Sequence, residues 1–166
     1  MKSVRKRMRQ LVDWIAAFWA GMISGVVTFM LCLLFSRILV KSPWFYIRLV
    51  SSLIFGSRVL LTPAAFDFGY LLTGLALHMI LAVLIAMLIA IIVHKYGILI
   101  SVVGGALIGL AFYAIGFYSF SHFYPWLIPF RSSLFMLEFI LFGALAGGLY
   151  ELMEVEVFVP EGSHQL

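Results

Sequence analysis

Residues 68–94 read FGYLLTGLALHMILAVLIAMLIAIIVH, a run without Asp, Glu, Lys or Arg that is bracketed by Asp67 and Lys95. As a helix such a run is about 40 Å long, more than the ~30 Å hydrocarbon core of a bilayer. A helix of this kind can also be buried inside a large soluble protein. A chain of 166 residues with 64% hydrophobic content offers no such surroundings. The stretch is expected to cross a membrane, with one polar side chain, His78, near its middle.

Composition points the same way. Mean hydropathy is +1.15 and 11% of residues are charged, against about 25% in soluble domains. The apolar runs are continuous rather than alternating, which excludes a β-barrel. The expected fold is an all-α membrane protein forming one integral membrane domain over residues 1–166. The net charge of +4 does not indicate nucleic acid, because five of the eleven cations (Lys2, Arg5, Lys6, Arg7 and Arg9) precede a hydrophobic helix. That is the positive-inside pattern, and it predicts a cytoplasmic N-terminus. Cys32 is the single cysteine and lies in an apolar run, as a packing residue.

Four spans are expected, at about 14–36, 69–93, 98–118 and 133–153, with the C-terminus also cytoplasmic. The first is too long for a signal-peptide core of about 7–15 residues and is read as uncleaved. The stretch 43–62 is ambiguous. On a helical wheel Arg48, Ser51, Ser52, Arg58 and Thr62 gather on one side, while Trp44, Phe45, Leu49, Leu53 and Leu60 lie largely elsewhere. This predicts an interfacial or re-entrant amphipathic helix with its cations towards the headgroups. The charge rule favours a fifth span instead. Four spans put six Lys/Arg inside and five outside; five spans put six inside and three outside.

Gly21 and Gly25, Gly105 and Gly109, and Gly143 and Gly147 are each four apart. They predict close helix packing, within the chain or between copies. The halves of the chain also look alike. Gly21-x3-Gly25 precedes Pro43-Trp44 and Arg48, and Gly105-x3-Gly109 precedes Pro125-Trp126 and Arg131. A two-fold internal repeat of the parallel kind seen in transporters would place both Pro-Trp segments on one side.

Few residues carry chemistry. His78 lies about 16 Å into its helix, and an intramembrane ionisable group is a functional candidate. The preferred reading of His78 is a neutral imidazole hydrogen-bonded to a neighbouring helix. Glu138 lies roughly 8 Å into the last helix and must be paired, protonated or wet. Pairing with Arg131, Arg58 or Arg48 is preferred over a proton or cation relay with His78. There is no metal cluster, nucleophile elbow or phosphate loop, so no catalytic residue, metal or cofactor is expected. Membrane lipids, other membrane proteins or further copies of the chain are the expected partners; the basic arm and acidic tail are read first as solvated, with each other, anionic lipid or a partner subunit as the alternatives they could meet.

Tyr113-x2-Gly116-Phe117-Tyr118, Pro125-Trp126 with Arg131, and Phe142-Gly143-x3-Gly147-x2-Tyr150 resemble a family of small bacterial membrane proteins with about four helices and no established activity. The resemblance covers the C-terminal half, with His78 as a further match. The family pattern has Asn where this chain has Gly116, so no polar role is carried to that position. Some members bear a transferred "sodium:proline symporter" label. Such a symporter needs many more helices, with unwound segments around its ion site. The expected function is an accessory or structural subunit that binds other membrane proteins. The alternative is a small oligomeric transporter or channel using His78 and Glu138.

Overall fold

The computed structural model describes residues 8–61, 65–155 and 157–160. It is an all-α membrane protein. Helices α1 (Trp14–Val40), α3 (Phe68–Val93) and α5 (Ser133–Met153) are each long and apolar enough to cross a membrane. So is the helical run from Ile98 to His122, whose α-helical part is α4 (Ile98–Ala114). The fifth helix, α2 (Trp44–Phe55), has 12 residues and is too short to cross. Asp13, Asp67 and Ser132 cap α1, α3 and α5, each side chain accepting from backbone N–H groups of the first turn.

The spans run alternately up and down, so both termini reach one end of the bundle. There β1 (Met8–Gln10) pairs antiparallel with β2 (Phe158–Pro160), and Val155 N–H donates to the second carboxylate oxygen of Asp13. The basic arm before Met8 and the acidic tail after Pro160 lie outside the described residues.

Helices α1 and α5 are central. α3 packs on α1, and α4 packs on α5. α1 buries Ala16, Ala17, Ala20, Gly21, Ser24, Gly25, Thr28, Phe29, Cys32 and Ser36, a stripe of small residues broken only by Phe29. A Cβ at Gly21 would come within 2.8 Å of Val83 Cα, and one at Gly25 within 2.8 Å of Ala82 Cβ. The α4–α5 contact is tighter still. A Cβ at Gly105 would strike the Gly143 carbonyl oxygen, and one at Gly109 the carbonyl oxygen of Phe139. A Cβ at Gly143 would strike the Gly105 carbonyl, and one at Gly147 that of Ser101. The three glycine pairs therefore serve packing within the chain.

Two clusters make up the core. At the terminal end Ala16, Ala17, Ala20, Ala82, Ala86, Ala90 and Ala146 pack with Phe142 and Tyr150. At the other end, the α2 end, Phe29, Phe45, Tyr46, Tyr113, Phe117 and Phe135 pack around Cys32.

The α2 segment corrects the helical-wheel expectation. Ser51 and Ser52 are fully buried instead of facing headgroups. Ser51 Oγ donates to the Tyr70 carbonyl at 2.9 Å, and Ser52 Oγ accepts from the Trp126 indole at 3.0 Å. These hydroxyls turn inward because they join helices. α2 lies against α3 at Gly74, where a Cβ would come within 2.7 Å of the Ile47 carbonyl oxygen. The helix ends at Gly56, which has φ +80°, and is followed by a 3-10 turn at Ser57–Leu60; Thr62 lies outside the described residues. The Ser52–Trp126 bond also brings the two Pro-Trp segments together at the same end.

The connection from α4 to α5 is not irregular. It runs through a π-helical turn at Ile115–Ser119 and 3-10 turns at Phe120–His122 and Pro125–Phe130.

Candidate functional site: a polar cluster inside the bundle

Four helices bring polar side chains together near the α2 end. On α1, Ser24, Thr28, Cys32 and Ser36 are spaced four apart, and each is at most 1% exposed. Residues at this spacing share a face. Ser24 Oγ donates to the Ala20 carbonyl, and Thr28 Oγ1 donates to that of Ser24 at 2.9 Å, so both hydroxyl protons are used within the helix. Ser36 Oγ is the one buried side-chain polar atom without a hydrogen bond among the described residues.

Tyr46 enters from α2. Its hydroxyl lies 2.8 Å from Nδ1 of His78 on α3, and Nε2 of His78 lies 3.0 Å from the Gly25 carbonyl oxygen on α1. A carbonyl only accepts, so Nε2 carries the hydrogen. In the neutral ring Nδ1 then accepts from the Tyr46 O–H. The imidazole is hydrogen-bonded on both sides, and it ties three helices together. The Phe29 ring lies against it, 5.3 Å between centroids.

Glu138 enters from α5 and is 4% exposed. Thr28 and Cys32 are its polar neighbours on α1, and Tyr46 lies beside both Cys32 and Glu138. Tyr46 thus faces His78 on one side and Glu138 on the other. His78 and Glu138 are not in direct contact, so a relay of only these two is not what the structure holds.

The expected Glu138–arginine pair is corrected. Arg48 donates to the carbonyls of Val59 and Ala65 and lies over the Tyr70 ring at 5.2 Å. Arg131 donates to the Phe117 carbonyl at 2.7 Å and to Ser121 Oγ, and lies over Tyr118 at 4.4 Å. Arg58 is exposed. Backbone carbonyls freed where helices end or widen take the guanidinium groups, and none reaches Glu138 among the described residues. Nor is there a group of three or more His, Cys, Asp or Glu arranged for a metal among them.

A crevice of about 150 Å³ opens at the α2 end between α1 and α5. Ser36, Leu39, Phe45, Phe130, Ser132 and Phe135 are among the residues that line it. Ser36 is thus a wall residue, with its unpaired hydroxyl buried.

The sequence singled out His78 and Glu138 but missed Tyr46, Thr28, Cys32 and Ser36. The polar series at 24, 28, 32 and 36 was a readable signal, since it runs along the glycine face of α1. Tyr46 had none, because its role depends on α2 packing inward. No family model, curated protein or solved structure matches this chain.

Proposed function

We propose that this chain is a small membrane transporter or channel for protons or small cations, in which Glu138 is the group that binds the ion and the His78–Tyr46 pair positions the site. One observation carries the reading: a carboxyl group without a cation partner among the described residues lies inside the bundle, among the hydroxyl and thiol groups of Thr28, Cys32 and Tyr46. Burying an ionised carboxylate alone costs several kcal/mol. A group kept there at such cost fits exchange of a proton or a cation better than support of the fold. His78 has both ring nitrogens satisfied and serves as a clamp.

The test is flux in sealed vesicles. Wild-type protein should dissipate an imposed proton or sodium gradient faster than empty vesicles, and Glu138→Gln should remove most of that rate while the protein elutes as a folded particle. Wild-type flux equal to that of empty vesicles would end the reading. The charge of the N-terminal arm supports a cytoplasmic terminal end, with the α2 end outside a bacterial cytoplasmic membrane.

The accessory-subunit reading has lost one support, since the glycine faces are used within the chain. It retains another: Leu99, Val103 and Leu107 form an exposed stripe on α4, free for lipid, a partner or a second copy. Co-purification at fixed stoichiometry with another membrane protein, after mild extraction, would favour it.

A further inference from the structure

We propose that the crevice between α1 and α5 is a water-filled vestibule through which protons or small cations reach Glu138 from the α2 end, with Phe135 as the barrier between them. The inference rests on the function proposed above and adds a route and a side to it.

Two helices set the depth. α1 ends and α5 begins at the α2 end, so going inward means going down in number on α1 and up on α5. Ser36 and Phe135 both line the crevice. One helical turn deeper on the same helices lie Cys32 and Glu138, roughly 5–6 Å further in. The crevice therefore stops one turn short of Cys32 and Glu138.

What stands between is aromatic. Phe135 is 3% exposed and stacks on Phe117 at 5.8 Å and on Tyr46 at 6.2 Å, with interplanar angles of 26° and 25°. Tyr46 is the residue hydrogen-bonded to His78. The ring that closes the crevice thus leans on the ring that faces Glu138.

The volume has room for water, and Ser36 and Ser132 are the polar residues in an otherwise apolar wall. A single water needs about 10–15 Å³ of such space and two to four polar partners, so 150 Å³ holds several. Ser36 is one of the lining residues, and its Oγ is buried and unpaired directly behind the wall. Ser132 Oγ, which accepts from Phe135 N–H, lies across the crevice. Leu39 and Val40 belong to the last turn of α1, whose carbonyls have no partner within the helix. These groups bridge the mouth to the Ser36 hydroxyl, and from there the path follows the polar face of α1 to Cys32 and Thr28 beside Glu138.

Cys32 makes the test direct, because it is the only cysteine and lies beyond the barrier. The reagent is a cationic, membrane-impermeant methanethiosulfonate, applied to reconstituted full-length protein. Ser36→Cys in a Cys32→Ser background should react when the reagent is on the α2-end side and not from the terminal side. Native Cys32 should be inert. With Phe135→Ala, or Phe135→Leu if the first variant does not fold, Cys32 should react on the order of tenfold faster, because thiol reactivity follows access.

A Ser36→Cys variant as inert as native Cys32 overturns the vestibule, and so does labelling from the terminal side alone. A folded Phe135 variant with Cys32 still inert overturns the barrier. Flux separates this inference from the reading it rests on. An inert Ser36→Cys variant together with flux lost in Glu138→Gln sinks the route and leaves the ion-binding role. A reactive variant together with flux unchanged in Glu138→Gln sinks that role, and with it the destination of the route.

Discussion

The terminal end and the α2 end of the bundle are packed on opposite principles. At the terminal end the contacts are Ala16, Ala17, Ala20, Ala82, Ala86, Ala90 and Ala146, with Gly105 against Gly143 and Gly147. Small residues let helix backbones meet, and nothing else fits between them. At the α2 end the contacts are Phe29, Phe45, Tyr46, Tyr113, Phe117 and Phe135. Rings fill most of the space between the helices there, the close approach of α2 to α3 at Gly74 excepted, and the same end holds the short fifth helix, the polar cluster and the crevice. The difference teaches where a small membrane protein has room for chemistry: rigidity is concentrated at one end, and volume at the other.

The largest expected effect comes from breaking the close end. Gly105→Leu forces a side chain into the carbonyl of Gly143, where backbone rather than a flexible side chain must yield. It should cost more than the ~1–3 kcal/mol of ordinary overpacking. Little folded protein should be recovered by size-exclusion chromatography, and wild-type elution and yield would refute the contrast.

A smaller effect is expected at the open end. Tyr46→Phe keeps the ring and its stacking but leaves Nδ1 of His78 without its donor. The loss should be about 1–3 kcal/mol in detergent unfolding. Combined with His78→Ala it should cost clearly less than the sum of the two single changes, because both remove the same bond. Strict additivity would show that the pair is not a unit.

The smallest effect concerns the edge of the close end. The Ala16 N–H draws the Asp13 carboxyl below its ordinary range; partial burial opposes this, and the Val155 and Ile15 N–H groups add to it. A lowered acid stabilises the fold at pH above its unfolded value, near 4, and that contribution is lost as pH falls through the folded value. Asp13→Ala should cost about 1 kcal/mol at neutral pH, as lost helix caps do. Its stability should also fall less than the wild type's between about pH 5 and pH 2. Parallel curves for the two proteins would remove Asp13 as the acid-sensitive cap.

The spans were legible because length and unbroken apolarity decide them almost alone. Residues 68–94 needed no tertiary knowledge, and the six paired glycines already announced close contacts. Which partner each glycine meets was not legible, since spacing on one helix does not name the other. α2 is short and does not span, as expected, but the direction of its serines was misjudged for a related reason. Two serines beside an arginine look like a wet face, yet Ser51 and Ser52 spend their hydroxyls between helices. Glu138 was recognised as costly, but its neighbours could not be read, because pairing with an arginine is the usual remedy. Here Arg131 answers the Phe117 carbonyl of the π-helical turn instead.

The glycine contact between α4 and α5 also bears on how the chain is made. α5 is the least apolar of the four spans and carries Glu138. It is also the last to leave the ribosome. By then α4 is already in the bilayer, presenting a groove of bare backbone to which only a glycine-faced helix can conform. Ribosomal synthesis therefore delivers the poorest inserter after the template that receives it. A chain halted after α4 would leave that groove to the lipid alone.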